Sequence, residues 1–288
     1  MEPIVHYAIP AFVILLLLEV WLTRRRDGVR GYERRDTFAS LSMGIGNVLI
    51  NIALEGVKLP ILFLLYRHRI FDPGHGVLVW IAAFIAEDFT YYWFHRLSHE
   101  VRFLWAAHVN HHSSQRYNLS TALRQSWTTP FTTFLFYWPL PLLGFDPLMI
   151  FTATSVSLIY QFWIHTECID RMGRFETLFN TPSHHRVHHG SNLAYLDRNH
   201  GGILICWDRL FGTFTPETEP VRYGLTRNID TFHPWHIAFH EWAALWRDVR
   251  VSDSWSDRLG YIFQPPGWSP DHSTLTTREL RDRAGLTA

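Results

Sequence analysis

The segment VLVWIAAFIAEDFTYYWF, Val77 to Phe94, runs without a break into HRLSH, His95 to His99. An apolar run of this length reads as a helix that crosses most of a bilayer core about 30 Å thick. Continued as helix, it carries His95 and His99 to one end of the span, one turn apart on one face. Glu87 and Asp88 lie inside the run, roughly two turns before His95. Carboxylates in an apolar span are costly unless paired, so these two are expected to support the histidines from a distance rather than to act as ligands.

Histidine recurs at similar spacing in two later places. His108, His111 and His112 form an H-x-x-H-H pattern, and His185, His188 and His189 repeat it within TPSHHRVHH, Thr181 to His189. On a helix each triplet sends its ring nitrogens from one face, where they can converge on metal. With His95 and His99 this makes eight imidazoles, about what two metal ions need when positions stay open for substrate or oxygen. Imidazole suits zinc, iron, copper and nickel, so the pattern alone does not name the metal. Catalytic zinc normally takes three protein ligands, and eight histidines exceed that; they fit a dinuclear centre. A buried pair of ferrous ions at a bilayer surface can reduce dioxygen to a species that abstracts hydrogen from an unactivated C–H bond.

Outward from these boxes the chain alternates apolar spans with polar segments. Ile4 to Leu22 is almost wholly apolar and is followed by Arg24, Arg25 and Arg26. A signal peptide carries its charge before the apolar run, so this segment reads as a retained anchor. The run from Arg24 to Arg35 is then cytoplasmic, in contact with lipid phosphate. Leu41 to Tyr66 is a second span, with Asn47, Asn51 and Glu55 on one stripe turned toward neighbouring helices. Three crossings bring His95 and His99 out on the cytoplasmic side. Trp127 to Phe145 and Pro147 to Ile164, broken by Pro139, Pro141, Gly144 and Pro147, give a fourth and fifth crossing or a re-entrant hairpin. Either returns the chain to the same side at His165.

The expected fold is an all-α, polytopic integral-membrane helical bundle of about four to five membrane-embedded helices or hairpins, with a cytosolic His-rich metal-binding cap. Residues 1–36 would be the anchor and basic segment, 37–215 the catalytic domain and 216–288 a cytosolic or interfacial extension. Gly201 and Gly202 predict a tight turn or close backbone packing against the site. His233 to Arg250 reads as an amphipathic helix whose first turn is broken by Pro234, with His233, His236 and His240 on its surface. His6, His68, His75 and His272 read as loop or interfacial residues. Pro265-Pro266-Gly267-Trp268 is expected to close the ordered region, with a solvated tail beyond about Thr274.

Composition narrows the partners. The 288 residues carry a formal net charge of zero, 18% charged residues, 16% aromatics and 13 Trp, with no basic stripe, so nucleic acid is not expected. A mean hydropathy of -0.04 fits apolar spans joined to a sizeable polar cap. Cys168 and Cys206 are far apart and suit buried free thiols. No G-x-G-x-x-G and no C-x-x-C-H is present, so electrons are expected from a separate protein or a diffusible reductant. The single Lys, Lys58, among 26 basic residues hints at a GC-rich bacterial genome, hence an inner-membrane protein.

The three boxes HRLSH, HVNHH and HRVHH, in order and with a long apolar insertion before the last, resemble the fatty acid hydroxylase and sterol desaturase superfamily over about Phe84 to Thr215. The resemblance implies a membrane di-iron enzyme that uses O2 to hydroxylate or desaturate a lipid. It implies His95, His99, His108, His111, His112, His185, His188 and His189 as metal ligands, with His165 and His184 as further candidates. A narrower likeness, to the alkylglycerol monooxygenase branch, rests on Glu100, Asn118, Arg124, Asn180 within FNTP, Asn199 through Phe214 including Asp208, Tyr223 to Thr226 and the Pro-Pro-Gly-Trp ending. It implies supporting roles for Glu100, Asn118, Arg124, Asn180, Asn199 and Asp208. His200 stands where that branch is expected to carry tyrosine. The implied reductant is external: a b-type cytochrome, a ferredoxin or tetrahydrobiopterin, the last being used by the animal enzymes of the branch. Two rivals use similar residues: a zinc-dependent membrane hydrolase, and a metal-binding transport protein, whose ligands should instead line a path across the bilayer.

Overall fold

The computed structural model describes residues 3–286, apart from the side chains of Pro3, Ile4 and His6, so the reading of His6 lies outside the described residues. Those residues form helices and no strands; two isolated bridges, Phe179 with Leu204 and Gly190 with Tyr223, pin loops together.

Three long apolar helices come first: α1 (Pro3–Thr23), α2 (Arg34–Arg67) and α3 (Val77–Glu100). Among the described helices α2 and α3 are long and apolar enough to cross a membrane. Glu33 starts α2 by accepting a 2.7 Å hydrogen bond from the Asp36 backbone N–H. Ile45, Leu49 and Ile52 on α2 and Ile14 and Leu17 on α1 face outward, uncovered by protein. Contiguous apolar surface of this kind is what lipid covers. The polar stripe of α2 turns inward as expected, Asn47 donating to the Ser126 carbonyl at 2.5 Å and Asn51 to Asn47 at 3.0 Å.

One extended residue, Val101, separates α3 from α4 (Arg102–His112), so the chain folds back and sets the second histidine box beside the first. Next come α5 (Leu119–Ala122), α6 (Thr129–Tyr137), α7 (Pro139–Leu142) and α8 (Pro147–Trp163). The arm from Trp127 to Phe145 is thus two short helices, not one. Proline suits the first turn of a helix but not its interior, and Pro139 restarts the helix where it breaks. α8 packs on α1 and α3 and ends just before His165.

The cap follows: a 3₁₀ turn (Gly173–Thr177), α9 (Pro182–His188), α10 (Cys206–Leu210), α11 (Pro234–Val251), α12 (Trp255–Phe263) and α13 (Thr277–Arg283). Within the bundle, buried Arg124 reaches Asp36 of α2 at 2.5 Å. The cap is tied to it by Arg102 of α4, which reaches Glu241 at 2.9 Å and Asp248 at 2.7 Å on α11. Two expectations are corrected here. Pro234 is the first residue of α11 and starts the helix instead of breaking it. The order does not end at Trp268: Thr276 and Glu279 form a capping box for α13, and Arg281 on that helix donates to the carbonyls of Leu193 and Leu196.

Candidate metal centre

The four elements meet at one point. His95 and His99 end α3, His108, His111 and His112 end α4, His165 follows α8, and His185, His188 and His189 come from α9 and its C-cap. All nine are buried. They fall into two groups whose ligand nitrogens lie within 4.8 Å of one another: His95, His99, His108, His112 and His188, and His111, His165, His185 and His189.

The H-x-x-H-H triplets therefore divide between the two groups, contrary to the expectation that each would converge as a set. Helix geometry explains the split. At about 100° per residue, side chains four apart differ by only ~40° in direction, whereas those three apart differ by ~60° the other way. His108 with His112, and His185 with His189, stay together; His111 and His188 point to the neighbouring group.

Ring contacts give the first group a shape. His95, His108, His112 and His188 form a closed square with successive centroids 4.8, 4.9, 4.8 and 4.3 Å apart, while neither diagonal pair is in ring contact. His99 caps the square, 4.7–5.5 Å from each corner. In the second group His165 and His189 each touch all three other rings, and His111 and His185 lie opposite one another.

This arrangement fits metal ions. With imidazole–metal bonds of about 2.1 Å, adjacent donors at right angles are ~3.0 Å apart and opposite donors ~4.2 Å. The facing Nε2 pairs His95–His108 and His108–His112 are both at 3.1 Å, His111–His165 at 3.1 Å and His165–His185 at 2.9 Å. The buried Nε2 atoms of His99, His188 and His189 have no hydrogen-bond partner. Buried polar atoms are rarely left so, and a cation supplies what each lone pair lacks.

Three of the outer ring nitrogens are held by backbone carbonyls. Nδ1 of His95 donates to the His200 carbonyl at 2.8 Å, Nδ1 of His165 to the Gln161 carbonyl at 2.7 Å, and Nδ1 of His188 to the Arg198 carbonyl at 3.0 Å. Each bond puts the proton on Nδ1 and leaves Nε2 free as a donor to metal. Burial first, then the charge of neighbouring imidazoles, pushes His108, His111, His112, His185, His188 and His189 well below the ordinary histidine value, so all six are neutral at pH 7.

His184 lies elsewhere. Its ring packs on Phe214, and it lines a separate small cavity with Glu176 and Arg209. Three of the six predicted supporting residues bond the backbone around the centre. Asp208 accepts from the His200 and Gly201 N–H groups and from Thr213, Asn180 donates to the Gly201 carbonyl, and Asn199 donates to the carbonyls of His184 and Thr215. Together they set the loop whose His200 carbonyl orients His95. Asn118 caps α5 and Arg124 ties the segment after the second box to α2. Glu100 pairs with Arg96 at the end of α3. Asp88 supports the same loop, accepting from Ile203, Leu204 and Trp207, whereas Glu87 accepts from Tyr137. The glycines pack closely, as expected: a Cβ on Gly201 would stand 2.6 Å from the Leu204 carbonyl oxygen, and one on Gly202 2.8 Å from Tyr91.

Sequence reasoning did not find Tyr117, whose ring lies tilted against those of His165 and His189, or Asp197, 3.4 Å from Nδ1 of His99. It left the role of His200 open. That ring is fully buried against His95, His99 and His188, with neither nitrogen hydrogen-bonded. Only the Asn-His-Gly-Gly spacing could have pointed to it. A cavity of about 780 Å³ reaches the centre at His99, His112, His188 and His189, walled by α11, α12 and the segment leading into α13.

Residues 80–213, which contain every histidine of both groups, match the fatty acid hydroxylase family model. The likeness to particular proteins runs further. Over 278 residues the chain is 41% identical to human alkylglycerol monooxygenase, a match covering 96% of this chain and 62% of that protein. The alkylglycerol monooxygenase of Danio rerio is 44% identical over 276 residues, covering 94% of this chain and 61% of its own length. An ornithine lipid hydroxylase of Rhizobium tropici is 33% identical over 153 residues, 52% of this chain and 46% of that protein. The chain thus spans about three-fifths of the alkylglycerol monooxygenases it matches. No solved structure matches it.

Proposed function

We propose that the protein is a membrane-bound di-iron oxidoreductase that uses O2 to hydroxylate a lipid, with an ether lipid of the alkylglycerol class as the substrate its relatives favour. The observation that carries this reading is the pair of imidazole groups, five and four strong, with nitrogens spaced as ligands of two adjacent ions. Two ferrous ions in such sites supply the reduction of dioxygen to a hydrogen-abstracting oxidant.

The chain's own residues hold the rings and choose the surroundings. Being neutral, these imidazoles would leave the positive charge of two bound ions uncompensated, a setting suited to anionic partners. The carbonyls of His200, Gln161 and Arg198 fix ring direction. A lipid lying with its chain among the apolar helices would present a carbon to the centre. Hydroxylation beside an ether oxygen gives a hemiacetal that breaks to an aldehyde and a glycerol. Electrons would come from a separate donor protein or a diffusible reductant.

We read α1, α2 and α3 as three crossings and α6 to α8 as a hairpin that does not span. The 17 residues of α8 measure about 25 Å, short of a core of ~30 Å, and α6 has only 9 residues. This places the histidines on the side of Arg24 to Arg35, the cytoplasmic face by the positive-inside rule. The test is oxygen uptake coupled to lipid loss in membranes supplied with iron and reductant, comparing the wild type with His111→Ala and His188→Ala. Both variants should lose at least 100-fold in rate, as second-shell changes alone cost 10–100-fold. Unchanged oxidation in both would sink the assignment.

A further inference from the structure

Helix α12 presents its apolar stripe to the outside. Trp255, Leu259 and Phe263, four residues apart, are 76%, 52% and 62% exposed, and α12 has no buried residue. A surface helix normally turns such a stripe to the core. The neighbouring α11, which packs on α12, adds Trp235, Trp246 and Val251, all exposed. Arginine accompanies them: Arg258 lies 5.0 Å over the Trp255 ring, and Arg250 stands one helical turn from Trp246.

What covers this surface is set by what it continues. α11 packs on the first turns of α2 through Ile237 and Ala238 against Ala39 and Met43. Trp235 meets Trp127, whose indole N–H donates to the Met43 carbonyl at 3.1 Å. From there the outward row Phe38, Leu41, Ile45, Leu49 and Ile52 runs up α2 into the span. The end of α1 repeats the same pairing, with Arg25 4.1 Å over Trp21. Tryptophan with arginine at the end of apolar spans is the composition of a bilayer–water boundary, where the indole sits at headgroup level and the guanidinium meets phosphate.

We infer that α11 and α12 form an amphipathic arm lying in the cytoplasmic membrane interface, its occupant a phospholipid surface. The inference rests on the membrane reading above and not on the oxidase chemistry. Another stripe of α11, through His236, His240 and Ala244, walls the cavity that ends on the histidine rings. The arm therefore stands between the lipid headgroups and the centre.

The experiment uses the full chain in nanodiscs of phosphatidylethanolamine and phosphatidylglycerol, in a Cys168→Ser, Cys206→Ser background. Nitroxide labels are placed one at a time at Trp246→Cys, Leu259→Cys and, as an exposed reference, Asp282→Cys. Accessibility to oxygen relative to a water-soluble nickel complex should be at least 5-fold higher at positions 246 and 259 than at 282. Equal ratios at all three would overturn the inference, as would dipolar broadening showing that a second copy of the chain covers the stripe. Because oxygen turnover is not measured, failure of the enzyme assignment leaves this readout intact.

Discussion

The backbone carbonyl of His200 accepts a 2.8 Å hydrogen bond from Nδ1 of His95, while the His200 N–H is itself held by Asp208 at 2.8 Å. A carboxylate two links away thereby sets the direction of a ring that faces His108 at 3.1 Å. Replacing Asp208 with Ala orphans the N–H groups of His200 and Gly201. The cost is about 1–3 kcal/mol for each buried group left unpaired. Thermal unfolding should fall accordingly, and iron content should fall with it; Asp208→Asn, which keeps an acceptor, should retain more of both.

Gly201 packs where no side chain fits, its missing Cβ position 2.6 Å from the Leu204 carbonyl oxygen. Gly201→Ala is expected to destabilise by about 1–3 kcal/mol, as overpacking does. Gly56→Ala, at a position with open space, is the matched control and should leave the melting temperature unchanged.

Arg124 is buried and donates to Asp36, Ser40 and Ser113. Removing one partner of a buried ion pair costs about 3–5 kcal/mol, because the other charge remains unpaired. Arg124→Leu should unfold at markedly lower denaturant concentration than wild type. The double variant Arg124→Leu, Asp36→Leu should recover part of the loss in the same titration.

Acid should destabilise the metal-free protein earlier than carboxylate titration would. Six buried imidazoles have folded pKa values well below the ordinary 6.5, burial being the first cause. Below pH 6.5 the unfolded chain therefore binds more protons than the folded one, so stability falls as pH falls. Melting temperatures of the iron-free protein are expected to be flat from pH 8 to 7 and to drop steeply between about pH 6.5 and 5. A flat profile to pH 5 would mean the rings are not buried as described.

Much of this was legible in the sequence because both signals are periodic. The apolar runs mark α1 to α3, and the H-x-x-x-H pair with the two H-x-x-H-H triplets marks the eight box histidines. His165 is isolated in sequence and becomes a member of the second group only because α8 ends beside α4. His184 sits in the densest histidine run yet points away, since α9 turns it toward Phe214. The break at Pro139 was visible as proline, but where the helix restarts depended on packing. The C-terminal segment looked like a tail because its polar residues show no periodicity. It is ordered by long-range bonds from Arg281 to Leu193 and Leu196, which no local pattern encodes.

The central claim is two ions held by histidines shared between boxes. Iron per chain, measured by elemental analysis and Mössbauer spectroscopy on protein loaded anaerobically, tests it most directly. Wild type should hold two ions; His108→Ala and His185→Ala, one from each group, should each hold about one, with a different site missing. Wild type holding one ion or none, or both variants losing the same site, would contradict the account.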